Sequence, residues 1–392
     1  MTCKKGKSEA KRTFMENVSS ANTQFALDFF REVCGTSGNI FFSPLSISAA
    51  FAMVYLGAKG NTAGQMAKAL SFNMTPDLHS DLKKFISDID KPDGPYQLTL
   101  ANRLYGEKTF SFLKEFLDAT RKFYQAELEP MDFIGAAEES CCQINQWVEA
   151  QTNGKIADIL HPSAVNDATR LVLVNALYFK GEWQHAFKRF KTREMPFKIN
   201  ERETKPVQMM YLQKVLPFKQ IEEYGLQIVE MPYKGDELSM VILLPEEPQN
   251  GSTPLQKLEK ELTLEKINEW TDRKNMDSGG YIDLYLPKFK LEDSYDLKEA
   301  LAHLGMTDAF DEKLADLTGI NRKGGLFISA AVHKSFIDVN EEGTEAAAAT
   351  GISMQKCCRI IGKKFMADHP FLFFIRHNTS KTILFFGRFS SP

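Results

Sequence analysis

Apolar residues recur at helical spacing through the first third of the chain. In residues 22–34 (NTQFALDFFREVC), two Phe and a Val follow one another at intervals of four, which predicts an amphipathic helix. Ser43 and Pro44 are typical of a helix start, because Ser caps free N–H groups and Pro suits the first turn. The helix they predict, residues 45–56, is apolar almost all round and should be deeply buried. Residues 140–153 predict a further amphipathic helix.

The later part of the chain reads mostly as strand. Residues 171–179 (LVLVNALYF) form a continuous apolar run, which predicts a strand that is buried on both faces. Residues 238–244 and 281–289 predict two more strands. The segments 371–375 and 382–386 flank a polar turn and predict a β-hairpin. Early helices, late strands and a mixed middle, with no Pro/Gly/Ser-rich linker, favour one α+β domain.

Composition then limits the class of protein. The 392 residues are 43% hydrophobic and 25% charged, with a formal net charge of -3, which is typical of a globular chain. Nucleic acid is not expected as a partner, because binding to a phosphate backbone needs a basic excess. No long uninterrupted apolar run occurs, so no membrane span is expected either.

Sequence motifs of the common enzyme classes are missing from the chain. It has no G-x-S-x-G, G-x-G-x-x-G, P-loop or H-E-x-x-H pattern, and its histidines show no ligand spacing, so we expect neither enzyme activity nor a metal or cofactor. The six cysteines include no C-x-x-C pair, which favours free thiols in a reducing compartment. We interpret the basic stretch of Lys188, Arg189, Lys191 and Arg193 as a solvated face, with attraction of polyanions as the alternative.

The N-terminus, MTCKKGKSEAKRTF, lacks the apolar core of a signal peptide. We interpret residues 1–14 as a flexible basic tail ahead of a single domain, residues 15–392; a nuclear address is the alternative. The expected location is therefore the cytoplasm, with the nucleus or release without a signal peptide as other destinations.

One segment near the C-terminus is physically unusual. Residues 341–350 (EEGTEAAAAT) carry no large side chain, although they lie between two stretches of predicted sheet. Ala and Glu favour a helix locally, so a surface helix or a flexible loop is the simpler interpretation. In an extended chain, alternate residues would form a small and mostly apolar face that fits between strands. That face would consist of Thr344, Ala346, Ala348, Thr350 and Ile352.

Four motifs together resemble the serpin family. The EEGTEAAAAT segment resembles the hinge of the serpin reactive loop, and DHPF followed by FFGR resembles the C-terminal signature of the family. The early NIFFSPLSI and the central NALYFKGEW match two further family segments. The ending IRHNTSKTILFFGRFSSP, with no signal peptide, is similar to the intracellular, ovalbumin-related clade. The resemblance spans residues 22–392.

This resemblance implies an α+β serpin fold with three β-sheets, about nine helices and an exposed reactive loop at about residues 341–365. A target serine protease would cleave the loop and form an acyl-enzyme through its own nucleophile. The cut loop would then insert as a new strand into the central sheet and distort the protease. The segment from Thr344 to Cys357 would reach roughly 46 Å when extended, enough to cross a large sheet.

The resemblance also places the reactive bond. Counting along the loop from Gly343 assigns it to Cys357–Cys358, which implies elastase-like or chymotrypsin-like targets, because Cys is a small, soft, apolar side chain. A shift by one residue would present Lys356 to a trypsin-like protease instead, and cysteine proteases are not excluded as targets. The implied hinge consists of Glu341, Glu342, Gly343, Thr344, Glu345, Ala346, Ala347, Ala348, Ala349 and Thr350.

Further residues match the shutter of the family, the region beneath the point where the central sheet opens. These residues are Asn39, Ser43, Ser46, Asn175 and His333. Several lie in apolar runs, so they should be hydrogen-bonded, and His333 is interpreted as structural rather than catalytic. Trp183 matches the position where the loop enters the sheet. A monomer is expected, and a non-inhibitory serpin that acts as a binding, storage or chaperone protein is the alternative function.

Overall fold

The structure, a computed structural model, describes residues 2–35, 38–90, 94–249, 251, 253–344 and 362–392, with side chains from Met15 onward. Nine α-helices lie within those ranges, which confirms the predicted number. They are α1 Thr2–Val33, α2 Pro44–Tyr55, α3 Gly60–Ala69, α4 Leu78–Ile89, α5 Lys114–Tyr124, α6 Ala137–Gln151, α7 Pro254–Glu261, α8 Leu264–Trp270 and α9 Leu297–His303.

The described strands form three sheets, as the α+β serpin fold requires. Along the chain they are β1 Ile40–Phe42, β2 Tyr96–Glu107, β3 Leu128–Met131, β4 Leu171–Glu182, β5 Arg193–Lys198, β6 Thr204–Val215, β7 Phe218–Ile221, β8 Leu226–Pro232, β9 Leu238–Leu244, β10 Tyr281–Pro287, β11 Phe289–Asp296, β12 Ile328–Val339, β13 Gly343–Thr344, β14 Lys363–Met366, β15 Phe371–His377 and β16 Ile383–Phe389. The central sheet has the order β11-β12-β13-β4-β2-β3. A small sheet has the order β14-β10-β6-β5, and a C-terminal sheet has the order β1-β16-β15-β9-β8-β7.

Helix α2 begins where the sequence predicts. The hydroxyl of Ser43 accepts a hydrogen bond from the backbone N–H of Ser46 at 3.2 Å, and Pro44 occupies the first turn. Every residue from Pro44 to Val54 is buried. The helix packs against β4 and β16 and therefore lies inside the molecule, between the central and C-terminal sheets.

Helix α1 extends further toward the N-terminus than the spacing of apolar residues predicts. It begins at Thr2 and so includes the segment that we interpret as a flexible tail; Ala, Glu, Lys and Arg all favour helix there. The flexibility of that segment stays a prediction. In the predicted apolar stripe Phe25 and Phe29 are buried and Val33 is half-buried, and the Phe29 ring packs against Phe42 with centroids 4.8 Å apart.

For the later part of the chain, the structure confirms one prediction and corrects another. The hairpin is confirmed, because β15 and β16 pair antiparallel from Phe371↔Phe389 onward. The strand predicted over residues 281–289 is in fact two strands in different sheets, β10 and β11. The chain leaves the small sheet at Pro287, which has no N–H to donate to a ladder, and Phe289 begins the edge strand of the central sheet.

The centre of the central sheet is a parallel pair, β4 and β12. Their register runs from Ile328↔Leu171 to Phe336↔Tyr178. On its other side β4 pairs antiparallel with β2. As the apolar run predicts, β4 is buried along nearly its whole length. The parallel pair is therefore enclosed by the fold, and a new strand can enter only where the two strands diverge.

Candidate functional site

The chain folds back between β4 and β12 at the end where these strands diverge. After β12, residues Gly343 and Thr344 form the short strand β13, which pairs antiparallel with β4 through Gly343↔Glu182 and Thr344↔Gly181. Thr344 also pairs with Val339 of β12. The start of the hinge thus lies inside the central sheet, directed along the seam between β4 and β12.

This close approach depends on glycine. A Cβ atom at Gly343 would lie 2.0 Å from the carbonyl oxygen of Gly181 and 2.7 Å from the Cα of Glu182. Gly181 is itself confined, since a Cβ there would lie 2.7 Å from the Phe179 ring. Real Cβ atoms do not approach backbone as closely as one at Gly343 would, so Gly343 is needed for β13 to form, whereas Gly181 is confined by the rings beneath it.

Thr344 faces the interior, the side that the period-two pattern assigns to it. Its side chain is fully buried, and its hydroxyl lies 2.8 Å from that of Tyr233. Burial raises the pKa of Tyr233, which therefore remains a neutral hydrogen-bonding partner. The site therefore suits a small side chain with one hydroxyl, and a charged side chain buried there would need a partner to offset its lost hydration.

Trp183 holds the chain on both sides of Glu341. Its indole N–H donates to the carbonyl oxygen of Asn340 at 2.9 Å, and its backbone N–H donates to the carbonyl oxygen of Glu342 at 2.9 Å. The indole also stacks on the Tyr233 ring, with centroids 4.5 Å apart. Trp183 thus lies beside the point where the chain turns into β13, and its role in loop entry stays a prediction.

Ion pairs fix the two hinge carboxylates. Glu341 is 5% exposed; its carboxylate accepts from the Thr192 hydroxyl at 2.8 Å and lies 2.9 Å from the Lys288 ammonium. Burial on its own would raise the pKa of Glu341, but these donors outweigh it and the pKa is lowered. The neighbouring Glu342 pairs with the guanidinium of Arg189.

A row of polar side chains crosses the central sheet further down the same seam. Asn175 on β4 and His333 on β12 are register partners, and both are fully buried. The imidazole Nδ1 hydrogen-bonds to the side-chain oxygen of Asn175, and Nε2 accepts from the backbone N–H of Ser43 at 3.0 Å. Burial lowers the pKa of His333 to about 3, so the ring is neutral, with the proton on Nδ1.

The N-terminal turn of α2 completes this row. The Asn175 amide donates to the carbonyl oxygen of Ser46 at 3.0 Å and also contacts the Ser46 hydroxyl. The Ser43 hydroxyl donates to the carbonyl oxygen of Leu384 at 2.6 Å. Asn102, on β2 opposite Asn175, accepts from the same amide; sequence analysis missed it because β2 was not recognised as a strand.

Comparison with known proteins assigns the family. The model of the serpin family (serine protease inhibitor) matches residues 20–392. The chain belongs to the serpin family.

The curated relatives of this serpin agree on the subgroup. "Leukocyte elastase inhibitor" of Equus caballus is 52% identical over 380 residues, covering 96% of this chain and 100% of the relative. The protein of the same name from Xenopus tropicalis is 53% identical over 382 residues, with the same coverage. The human one is 51% identical over 380 residues, again with 96% and 100% coverage. These relatives confirm the subgroup that the C-terminal motif indicates.

Solved structures confirm the serpin fold. Uncleaved ovalbumin is similar with a TM-score of 0.86 and 39% identity, over 96% of this chain and 100% of that one. A loop-inserted structure of a cleaved ovalbumin mutant is similar with a TM-score of 0.85 and 37% identity, over the same shares. The confirmed likeness to ovalbumin supports the clade that the sequence indicates.

Asn39 of this serpin lies apart from the row of polar side chains around Asn175 and His333, and its assignment to the shutter stays a prediction. Its side chain is exposed, and its oxygen accepts from the backbone N–H groups of Ser390 at 2.7 Å and Ser391 at 3.1 Å. The reason is the register of β1, which places Ile40 opposite Arg388 and so carries Asn39 past the end of the sheet. Asn39 therefore fixes the C-terminus of the chain.

Some predicted positions lie outside the described residues. They are the reactive bond Cys357–Cys358, the alternative Lys356, and the hinge residues Glu345, Ala346, Ala347, Ala348, Ala349 and Thr350. Among the described cysteines, Cys34, Cys141 and Cys142 are free. In the same part of the chain, no group of His, Cys, Asp and Glu side chains has the geometry of a metal site, and no helix has the length and apolar character to cross a membrane.

Proposed function

We propose that this serpin is a suicide substrate that traps elastase-like or chymotrypsin-like serine proteases. The observation that carries the proposal is β13. Gly343 and Thr344 already lie between β4 and β12, antiparallel to both, so continued insertion requires only that the parallel pair separates further. A loop that did not insert would need neither the buried Thr344 nor a glycine at position 343.

The chemical step belongs to the protease. Its serine oxygen attacks the carbonyl carbon of Cys357, the Cys357–Cys358 peptide bond breaks, and the new amine of Cys358 takes a proton and leaves. The protease remains esterified to Cys357. Water would next cleave that ester, so inhibition requires insertion to finish before this hydrolysis.

Insertion supplies the free energy for the trap. A loop strand between β4 and β12 replaces one parallel ladder with two antiparallel ladders, which are slightly more stable per residue. Each flanking strand has 12 residues, a span of about 40 Å. The loop segment that ends at Cys357 is roughly 46 Å long when extended, so it carries the attached protease from one end of the sheet to the other.

We further propose that the protein acts as a monomer in the cytosol, with the nucleus and unconventional release as secondary destinations. The free thiols of Cys34, Cys141 and Cys142 support a reducing compartment. Gel filtration and cell fractionation test the two statements separately.

The test is incubation with elastase, chymotrypsin and trypsin, followed by a denaturing gel and mass analysis of the released peptide. A stable covalent complex and a peptide that begins at Cys358 are expected. A peptide that begins at Cys357 would move the reactive residue to Lys356 and the specificity to trypsin-like proteases. The matched control is each protease with its catalytic serine changed to alanine, which should form no covalent complex. Absence of a complex with all three active proteases would favour a non-inhibitory binding protein.

A further inference from the structure

An open cleft of about 340 Å³ lies beside the start of the hinge, and ion pairs cross it. We call these ion pairs the clasp. They are Arg189–Glu342, Lys288–Glu341 at 2.9 Å and Lys290–Asp338 at 2.9 Å. Asn340 completes the lining. The three carboxylates lie within six residues of Gly343 and Thr344 in the chain, so the ion pairs of the cleft are coupled to the position of β13.

The clasp divides its charges between a fixed side and a movable side. The cations lie on elements outside the hinge. Lys288 and Lys290 are at the junction of β10 and β11, and Arg189 is in the turn before β5. The carboxylates all belong to the end of β12 and the hinge. With the hinge in place the three positive and three negative charges cancel. If Glu341 and Glu342 move away with β13, three positive charges face one negative charge.

One end of the clasp is weakly held. The Arg189 side chain is 67% exposed, and exposed ion pairs contribute little to stability. The second carboxylate oxygen of Glu342 is buried with no hydrogen-bond donor among the described residues. A buried acceptor without a donor has lost its water contacts without replacement, which raises the free energy of the clasped state. The hinge is thus anchored but close to release.

We propose that this cleft is a binding site for a compact multivalent anion of the phosphate or sulfate type. Such an anion competes with Glu341 and Glu342 for the same cations, and Arg189 offers paired N–H donors to its oxygens. The site gains two net positive charges when the carboxylates leave, so the anion binds the released state more tightly. Binding therefore shifts the population toward a hinge that has left the sheet.

The fluorescence of Trp183 should report movement of the hinge, because its indole N–H donates to the carbonyl oxygen of Asn340 and its ring stacks on Tyr233. Sodium tripolyphosphate is titrated into the full chain while tryptophan emission is recorded. A saturable change is expected in the wild type and should be absent in Trp183→Phe. Sodium chloride at equal ionic strength should not reproduce it; if it does, the effect is general screening and the site is refuted. Tripolyphosphate and a sulfated oligosaccharide, compared as separate arms, show which class of anion fits.

Two exposed cations of the clasp provide the variants. Arg189→Gln and Lys290→Gln should each weaken tripolyphosphate binding about tenfold, the loss of one charge-assisted hydrogen bond. Arg189→Gln should also shift the emission toward that of the anion-bound state without ligand. The matched controls Lys188→Gln and Arg193→Gln remove equally exposed charges outside the cleft and should leave affinity within about twofold. Equal losses in all four variants would refute the cleft and indicate diffuse attraction by the basic stretch.

The fluorescence titration needs no protease, so this proposal does not depend on the inhibitory one. An emission change without inhibition would leave the anion site standing and the proposed function refuted. Inhibition without any emission change would refute the anion site and leave the proposed function standing.

Discussion

His333 on β12 and Asn175 on β4 face each other across the seam that a new strand must open, and a hydrogen bond joins their side chains. The same imidazole accepts from the backbone of Ser43 at the start of α2. Separation of β4 from β12 therefore requires these buried polar groups to exchange partners, which makes this contact a barrier to premature opening.

Acid should weaken the fold through His333. Its pKa is about 3 in the native protein because of burial, against 6.5 for the free group. Between these values the unfolded chain binds a proton that the native one does not, so the stabilising effect is complete above pH 6.5 and is lost as the pH falls toward 3.

The contribution approaches about 1.4 kcal/mol per pH unit within that window. Urea unfolding of the wild type and His333→Gln at a series of pH values measures it. His333→Gln should flatten the slope, whereas the exposed His161→Gln should not. Equal slopes for all three proteins would contradict the assignment.

Thr344→Arg should convert the inhibitor into a substrate. The position is fully buried against the neutral Tyr233, so an arginine there would have to carry its charge into the sheet, and burial of an unpaired charge costs several kcal/mol. Cleavage of the loop should continue while the covalent complex disappears from denaturing gels. Thr344→Ser, which keeps the hydroxyl and the small size, is the control and should still trap protease. A stable complex with Thr344→Arg would refute insertion at this position.

Gly343→Ala should expel β13. The added methyl group would overlap the carbonyl oxygen of Gly181, and overpacking of this kind typically costs about 1–3 kcal/mol. We expect altered Trp183 emission together with a lower thermal midpoint. Gly64→Ala is the matched control, because a Cβ there meets nothing within 4 Å and alanine favours helix α3. An unchanged emission spectrum in Gly343→Ala would show that the close approach to Gly181 does not exist.

Lys288→Ala should destabilise the protein far more than Lys290→Ala. Lys288, itself 39% exposed, neutralises the buried Glu341, and a buried acceptor that loses a partner typically costs about 1–3 kcal/mol. Lys290 is 70% exposed, so loss of its pair with Asp338 should cost about 0–1 kcal/mol. Urea midpoints measure the difference. Similar midpoints for the two variants would mean that Glu341 does not depend on Lys288.

The cleaved protein should resist heat better than the intact one. The inserted segment gains a ladder on both sides, and its new backbone hydrogen bonds at about 1 kcal/mol each amount to roughly 10 kcal/mol. Differential scanning calorimetry before and after limited proteolysis within the loop measures the gain. Because the intact fold would then be kinetically trapped, scan rate must be matched between samples. A cleaved form that melts no higher than the intact one would remove the basis of the trapping mechanism.

Local sequence patterns predicted the elements whose environment is uniform along their length. Strand β4 and helix α2 are buried almost throughout. A continuous apolar run is enough to identify β4, and an apolar run behind the Ser43 cap identifies α2. The strand over residues 281–289 shows the limit of this reasoning. Its alternation continues past Pro287, but pairing partners far along the chain place the two halves in different sheets.

The candidate site could be predicted only in part. Of the residues that a family match singled out, Trp183, Asn175 and His333 lie along the seam. Asn39 lies apart from them, because its position depends on the register of β1 against β16. The clasp could not be predicted either. Arg189 is about 150 positions from Glu342, and no local pattern indicates that these charges meet.

Helix α2 has no face exposed to solvent, since every side chain from Pro44 to Val54 is buried. Its packing partner β16 begins at Ile383, more than 300 residues later. At a synthesis rate of about 5–20 residues per second, roughly 15–65 seconds pass before β16, one part of the surface that covers this helix, is made. We therefore expect part of this helix to stay accessible to chaperones until synthesis of the chain is nearly finished.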